Sequence, residues 1–153
     1  MPTPLLILYA TVTGNAEMCA NSIADAARPH GYEPRVWNVD GFDVKQLANE
    51  TAVIFAVSTY GDGEPPSQAL EFWEELRAHS GSLENLRYAI YAIGDSTYDE
   101  FCGFGKKLDA ELASKGAISM IDRSENDLDC EAGLSTFCAS VFTVLPNILQ
   151  PAG

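Results

Sequence analysis

Basic residues are scarce in this sequence. Among 153 residues, 9 Lys and Arg face 22 Asp and Glu, a formal net charge of −13. Such a chain is poorly suited to a nucleic-acid backbone or an anionic membrane surface, and better suited to a partner with basic patches. Long apolar runs are also missing, since none approaches the ~18 residues that span a bilayer. Met1-Pro2-Thr3-Pro4 offers no basic segment ahead of an apolar one, so no signal peptide is expected. Cysteine is sparse: Cys19, Cys102, Cys130 and Cys138 show no CxxC spacing and read as scattered, reduced thiols of a cytoplasmic protein. His30 and His79 lack a second ligand at metal-binding spacing and read as surface residues near helix ends. There is no repeat, low-complexity tract or internal linker, and the length suits one domain, residues 1–153.

What is present is an alternation of strands and helices. Leu5–Tyr9 is an apolar run that reads as a buried parallel strand. Pro34–Asn38 reads as an edge strand, Ala52–Val57 as the central strand, and Tyr88–Ile93 and Ala117–Ile121 as the fourth and fifth. Helical spacing predicts Glu17–Ala27, Gln68–Ala78, Phe101–Lys115 and Glu131–Leu149 as helices, with Gly41–Glu50 a connector and Asp122–Asp129 a polar loop. Five strands alternating with helices predict an α/β fold: a doubly wound, five-stranded parallel sheet in three α/β/α layers. In such sheets ligands bind beyond the strand C-termini at a topological switch point. The loops after strands one, three and four share that edge, and they are the most unusual loops in the chain.

The first loop, Thr11-Val12-Thr13-Gly14-Asn15-Ala16, joins a strand to a helix N-terminus. The first N–H groups of a helix lack partners and sit at its positive end, so such a turn suits an anion. Thr11, Thr13 and Asn15 add side-chain donors, and no Lys or Arg lies between Leu5 and Ala27. A phosphate here would be held by neutral groups alone. The second loop, Ser58-Thr59-Tyr60-Gly61-Asp62-Gly63-Glu64-Pro65-Pro66, and the third, Gly94-Asp95-Ser96-Thr97-Tyr98-Asp99-Glu100-Phe101-Cys102, each place one tyrosine at a strand C-terminus. Two aromatic rings at one cleft can hold a flat heterocycle. Cys102 has no signature pairing it with a base, so its backbone rather than its thiol is expected to matter.

These three motifs resemble the flavodoxin family. Thr11–Asn15 is similar to the family's Thr-x-Thr-Gly-Asn phosphate pattern. Ser58–Pro66 resembles the flavin loop of the FMN domains of diflavin reductases such as sulfite reductase flavoprotein and cytochrome P450 reductase. Gly94–Cys102 resembles the second flavin loop of short-chain flavodoxins, and the fifth strand runs into Asp122 without an added loop. The resemblance implies bound FMN, with phosphate on Thr11, Val12, Thr13, Gly14, Asn15, Ala16 and Ser58. It implies Tyr60 and Tyr98 on the two ring faces, and Thr59, Gly61, Asp62, Gly94, Asp95, Phe101 and Cys102 around the ring. Ala16 stands where many flavodoxins carry threonine, which implies one hydroxyl donor fewer and somewhat weaker FMN binding.

The function so implied is that of a low-potential electron carrier rather than an enzyme. Its expected partners are redox proteins with basic patches, an NADPH-dependent reductase as donor and an enzyme as acceptor, and it is expected to act as a monomer. The alternative is an FMN-dependent NAD(P)H quinone reductase, which usually needs a subunit interface and a hydride route. A receiver domain would need acidic residues after strand one, an Asp ending strand three and a Lys ending strand five, where Thr11, Ser58 and Asp122 stand. A P-loop NTPase is set aside because its Gly-Lys-[Ser/Thr] is missing.

Overall fold

Every residue of Ala52–Ser58 is buried, and this strand, β3, forms the middle of the sheet. The computed structural model describes residues 2–152. Its strands are β1 (Thr3–Ala10), β2 (Tyr32–Asn38), β3, β4 (Arg87–Ile93), β5 (Ile118–Ser119) and β6 (Ser124–Asn126). All pairings are parallel, in the order β2-β1-β3-β4-β5, with β6 also paired to β4. The chain leaves β1 for β2 on one side and returns to β3 on the other, so the switch point lies between β1 and β3. Pro34 is tolerated in β2 because that strand is at the edge. β2 begins two residues earlier than the apolar pattern indicated, at Tyr32, which is buried and donates its hydroxyl to the Leu149 carbonyl at 2.7 Å.

Helices α1 (Asn15–Ala27) and α4 (Leu134–Val144) cover one face, and α2 (Leu70–Ala78) and α3 (Gly103–Ser114) the other. On the first face small residues meet: Ala16, Ala20, Ala24 and Ala27 of α1 share a core with Ala52 and Ala56 of β3 and Ala89 of β4. Helix and sheet can therefore approach closely, which fixes the height of the turn preceding α1. The opposite face is bulkier, with Phe55, Phe72, Phe104 and Tyr88 in one cluster.

Several other elements differ from the sequence reading: α1 begins at Asn15 rather than Glu17, Gln68 and Ala69 form a 3-10 turn ahead of α2, and three further differences have an evident cause. The fifth strand is not the continuous Ala117–Ile121; it is split, and its second part, β6, lies inside the segment read as a loop. Between Tyr88 and Tyr91 β4 advances three residues, whereas their partners Ser119 and Ser124 are five apart, so two residues bulge out of register. Arg123 secures the resumption: it bonds Asp109 of α3 at 2.6 Å and Glu125 of β6 at 2.8 Å, and Asp109 accepts from the Tyr88 hydroxyl of β4 at 2.5 Å. The last helix is shorter than Glu131–Leu149, because Pro146 has no N–H to continue it and the chain tightens into a 3-10 turn at Leu145–Asn147. α3 starts at Gly103 rather than Phe101, because Cys102 takes the left-handed conformation (φ 55°) and caps it. No helix among the described residues is long and apolar enough to cross a membrane.

The thiols are less scattered than their spacing indicates. Cys19 of α1 lies against Cys130, donating to its carbonyl at 3.8 Å, and burial together with Cys130 pushes the Cys19 thiol up to about 12. Neither histidine has a metal-binding neighbourhood among the described residues. His30 stacks on Phe142 with ring centroids 4.9 Å apart, and His79 is half-buried rather than a surface residue, its Nε2 enclosed beside Gly81.

A Cβ placed on Gly105 of α3 would lie 2.5 Å from the Ala92 Cβ of β4. Gly→Ala inside a helix ordinarily stabilises by about 0.5–1 kcal/mol. Here overpacking wins, and Gly105→Ala should cost about 1–3 kcal/mol, seen as a lower urea midpoint at unchanged slope.

Candidate functional site

The turn between β1 and α1 is shaped by Thr11 and Gly14. Gly14 has φ 96°, a conformation that lets the chain enter the helix at a steep angle without a Cβ penalty, and a Cβ there would meet nothing within 4 Å. The Thr11 hydroxyl, largely buried, accepts N–H bonds from Gly14 at 2.8 Å and Ala16 at 3.3 Å. Its own proton is thereby left to donate outward. The N–H groups of Thr13, Asn15 and Glu17 make no hydrogen bond within the described residues. A helix N-terminus with open N–H groups and flanking hydroxyls fits a phosphate monoester without any cation.

The loop after β3 is a tight reversal. Tyr60 and Glu64 exchange backbone bonds of 2.7 and 2.9 Å around Gly61-Asp62-Gly63. Gly61 takes φ 52°, and space for a Cβ is free there, so its constraint is conformational. The loop after β4 is held differently. Gly94 donates to the Asn126 carbonyl at 2.8 Å, Asp95 accepts the Thr97 N–H and hydroxyl at 2.9 and 2.7 Å, and Asp127 receives the Ser96 N–H at 3.1 Å as well as its hydroxyl.

These two loops are fastened to each other. The Asp62 carboxylate accepts the Glu100 N–H at 2.8 Å. The Thr59 hydroxyl accepts the Phe104 N–H at 3.3 Å, and Lys107 Nζ donates to the Gly63 carbonyl at 2.9 Å. A Cβ on Gly103 would come within 2.5 Å of the Gly63 Cα, so the two backbones nearly touch. The side chains of Thr59 and Asp62 are thus engaged in joining loops. Ser58 is buried at the end of β3, and Phe101 is half-buried against the α2/α3 core.

Tyr60 is 60% exposed and Tyr98 44% exposed, so both rings are open to solvent or to a ligand. Each stands on one of the two fastened loops, on the same sheet edge as the Thr11–Ala16 turn. Cys102 is fully buried and its thiol is pushed up to about 11 by burial, so it is no nucleophile. Its backbone is closely packed: a Cβ on Gly94 would lie 2.7 Å from the Cys102 nitrogen. The joining residues Lys107 and Gly103, and Asp127 which holds Ser96, carry no sequence signal, because nothing local marks contacts made across 31 to 44 residues.

A profile of the flavodoxin family matches residues 7–139. The flavoprotein alpha-component of NADPH sulfite reductase from Shewanella sp. (strain ANA-3) is 37% identical over 145 residues, covering 94% of this chain and 24% of that protein. The protein of the same name from Vibrio parahaemolyticus is 40% identical over 129 residues, covering 84% and 21%. The chain therefore spans about a quarter of the length of these curated relatives. The solved structure of the Streptococcus pneumoniae TIGR4 flavodoxin is similar at a TM-score of 0.80 and 28% identity, covering 92% of this chain and 99% of that one.

The Ser96 hydroxyl, the Ser96 N–H and the Leu128 N–H all stabilise the Asp127 carboxylate, holding its pKa below the ordinary 3.8. A depressed carboxylate contributes stability above its unfolded pKa and loses it as pH falls through the folded one. The Ser96 amide resonance should therefore titrate in acid with a midpoint below 3.8, and Asp127→Ala should abolish that transition.

Proposed function

The chain belongs to the flavodoxin family, and on that premise we propose that it carries single electrons at low potential from an NADPH-dependent reductase to an acceptor enzyme, as a monomer. Flavodoxins bind FMN, which when bound supplies a centre that takes up and releases electrons one at a time. The observation that carries the reading is the meeting, on one sheet edge, of a cation-free anion turn and two exposed tyrosines on loops fastened at Gly63 and Gly103.

In this reading each residue has a definite task. Thr11 and Thr13 donate hydroxyl protons to the phosphate, and the turn from Val12 to Ala16 supplies N–H groups, with Ser58 beside it. Neutral donors suffice because they are fixed before the anion arrives, and an unpaired buried phosphate would be far more costly. Tyr60 and Tyr98 cover the ring faces and exclude water from them. The backbones of Thr59, Gly61, Asp62, Gly94, Asp95 and Cys102 border the ring, with Phe101 supporting them from the core side. Asp62, Glu64, Asp95, Asp99 and Glu100 surround that edge with negative charge. Adding an electron among them is disfavoured, which lowers the potential. The same charge, within a total of −13, steers a partner bearing Lys and Arg to that edge.

Calorimetry with FMN and riboflavin tests the site. Thr13→Ala should weaken FMN binding by about 1–3 kcal/mol, the range for a hydrogen bond to a charged group, and leave riboflavin unchanged. Equal wild-type affinity for the two ligands rejects the phosphate assignment. Tyr60→Ala and Tyr98→Ala should each weaken FMN and restore its fluorescence.

Stopped-flow kinetics tests the electron-carrier role. Reduction should require a reductase protein, and its rate should fall as salt rises and the Debye length shrinks from about 10 Å at 0.1 M to about 3 Å at 1 M. Rapid direct reduction by NAD(P)H with a quinone as acceptor would support the quinone-reductase alternative instead.

A further inference from the structure

We propose that Gln68 is a positioning residue for the FMN phosphate, acting through the backbone of Thr11. Its amide oxygen accepts the Thr11 N–H at 3.3 Å and the Asn38 side-chain amide at 3.1 Å. The orientation of both amides follows from chemistry. A backbone N–H can only donate, so Gln68 presents oxygen to it, and Asn38 must then present nitrogen to that oxygen. Asn38 is the register partner of Tyr9, a residue of β1 that carries a phenolic hydroxyl. That hydroxyl in turn donates to Glu17 at 3.1 Å.

Hydrogen bonds therefore join Thr11 to Asn38 through Gln68, and Tyr9, the neighbour of Asn38 across the β1–β2 pair, bonds Glu17. Thr11 opens the phosphate turn, and Glu17 lies in the first turn of the helix that closes it. The start of a turn without lysine or arginine is thus tied through Gln68 to β2, and the helix that follows it is tied through Glu17 to β1. Gln68 reaches the turn from Ser67–Ala69, which leads into α2, and it borders a cleft of about 420 Å³ together with Thr11, Val12 and Tyr60.

The consequence is specific to the phosphate. Thr11 holds the turn by accepting from the Gly14 and Ala16 N–H groups with the same hydroxyl that is free to donate to an anion. When the Thr11 N–H loses its acceptor, the hydroxyl and the N–H groups gathered on it shift together. The tyrosine-bearing loops have their own fastening, through Asp62 to Glu100 and Lys107 to Gly63, so the ring contacts stay in place.

This proposal rests on the reading that FMN phosphate occupies the Thr11–Ala16 turn. The test titrates the apo forms of wild type, Gln68→Leu and Gln68→Glu with FMN and with riboflavin, and records the phosphorus NMR signal of bound FMN. Gln68→Leu keeps the volume and removes the acceptor. It should weaken FMN about tenfold, the scale of one hydrogen bond, keep riboflavin within about twofold, and move the phosphorus resonance. Gln68→Glu keeps the acceptor, and in 0.5 M salt, where its repulsion of the phosphate is screened, it should bind FMN more tightly than Gln68→Leu. A wild type that prefers FMN to riboflavin, with Gln68→Leu unchanged or weakened equally toward both ligands, overturns the role of Gln68 alone. A Gln68→Glu variant no better than Gln68→Leu in high salt does the same. A wild type with no preference for FMN overturns the phosphate assignment and this proposal with it.

Discussion

Close contact between small residues sets the position of every loop at the functional edge. Alanines of α1 share one core with Ala52 and Ala56 of β3, Gly105 of α3 lies on Ala92, and Gly103 lies on Gly63. Protein interiors resist compression, so a helix seated this closely cannot slide without displacing backbone. The turn before α1 and the cap before α3 inherit that rigidity. A site made from main-chain N–H groups depends on such seating more than a site made from long side chains, because its donors have no rotamers with which to adjust.

The lack of lysine and arginine between Leu5 and Ala27 has a matching architectural effect. Lysine or arginine would allow loose positioning, since a charge acts at range. Neutral donors act only in contact and at good angles. The polar links around Thr11, Gln68, Asn38 and Tyr9, and those between Asp62, Lys107 and the loop after β4, supply that precision. Three of the basic residues join elements to one another. Arg123 joins α3 to the resumed edge strand, Lys107 fixes Gly63, and Lys115 donates to the His79 carbonyl at 2.8 Å.

How far the sequence reveals this depends on the range of the interaction concerned. β1, β3 and β4 are buried on both faces, so their continuous apolar runs identify them, and the alternation with helices identifies the sheet. The Thr11–Asn15 turn is legible because strand, glycine and helix are contiguous. The fifth strand is not, because Met120 and Ile121 continue an apolar pattern that the Arg123 contacts with Asp109 and Glu125 interrupt. The end of α4 was misread because the apolar spacing of Leu145 and Ile148 persists beyond Pro146, although the backbone bond does not. Gln68 carries no local signal at all. Its partners Thr11 and Asn38 lie 57 and 30 residues away, and only the folded sheet brings the three together.

The two margins of the sheet share one more property. β2 carries Pro34 in its middle, β5 has only two residues, and β6 is the polar triplet Ser124-Glu125-Asn126. An unpaired strand edge is a template on which a second copy can add itself, and proline, brevity and charge each spoil that template. Both margins are therefore poor templates for strand addition, although Trp37 of β2 and Ile118 of β5 are exposed there, as Tyr60 and Tyr98 are at the C-terminal strand edge. A molecule built this way can leave aromatic surface open at one edge of its sheet while its strand margins offer little backbone for another strand to pair with.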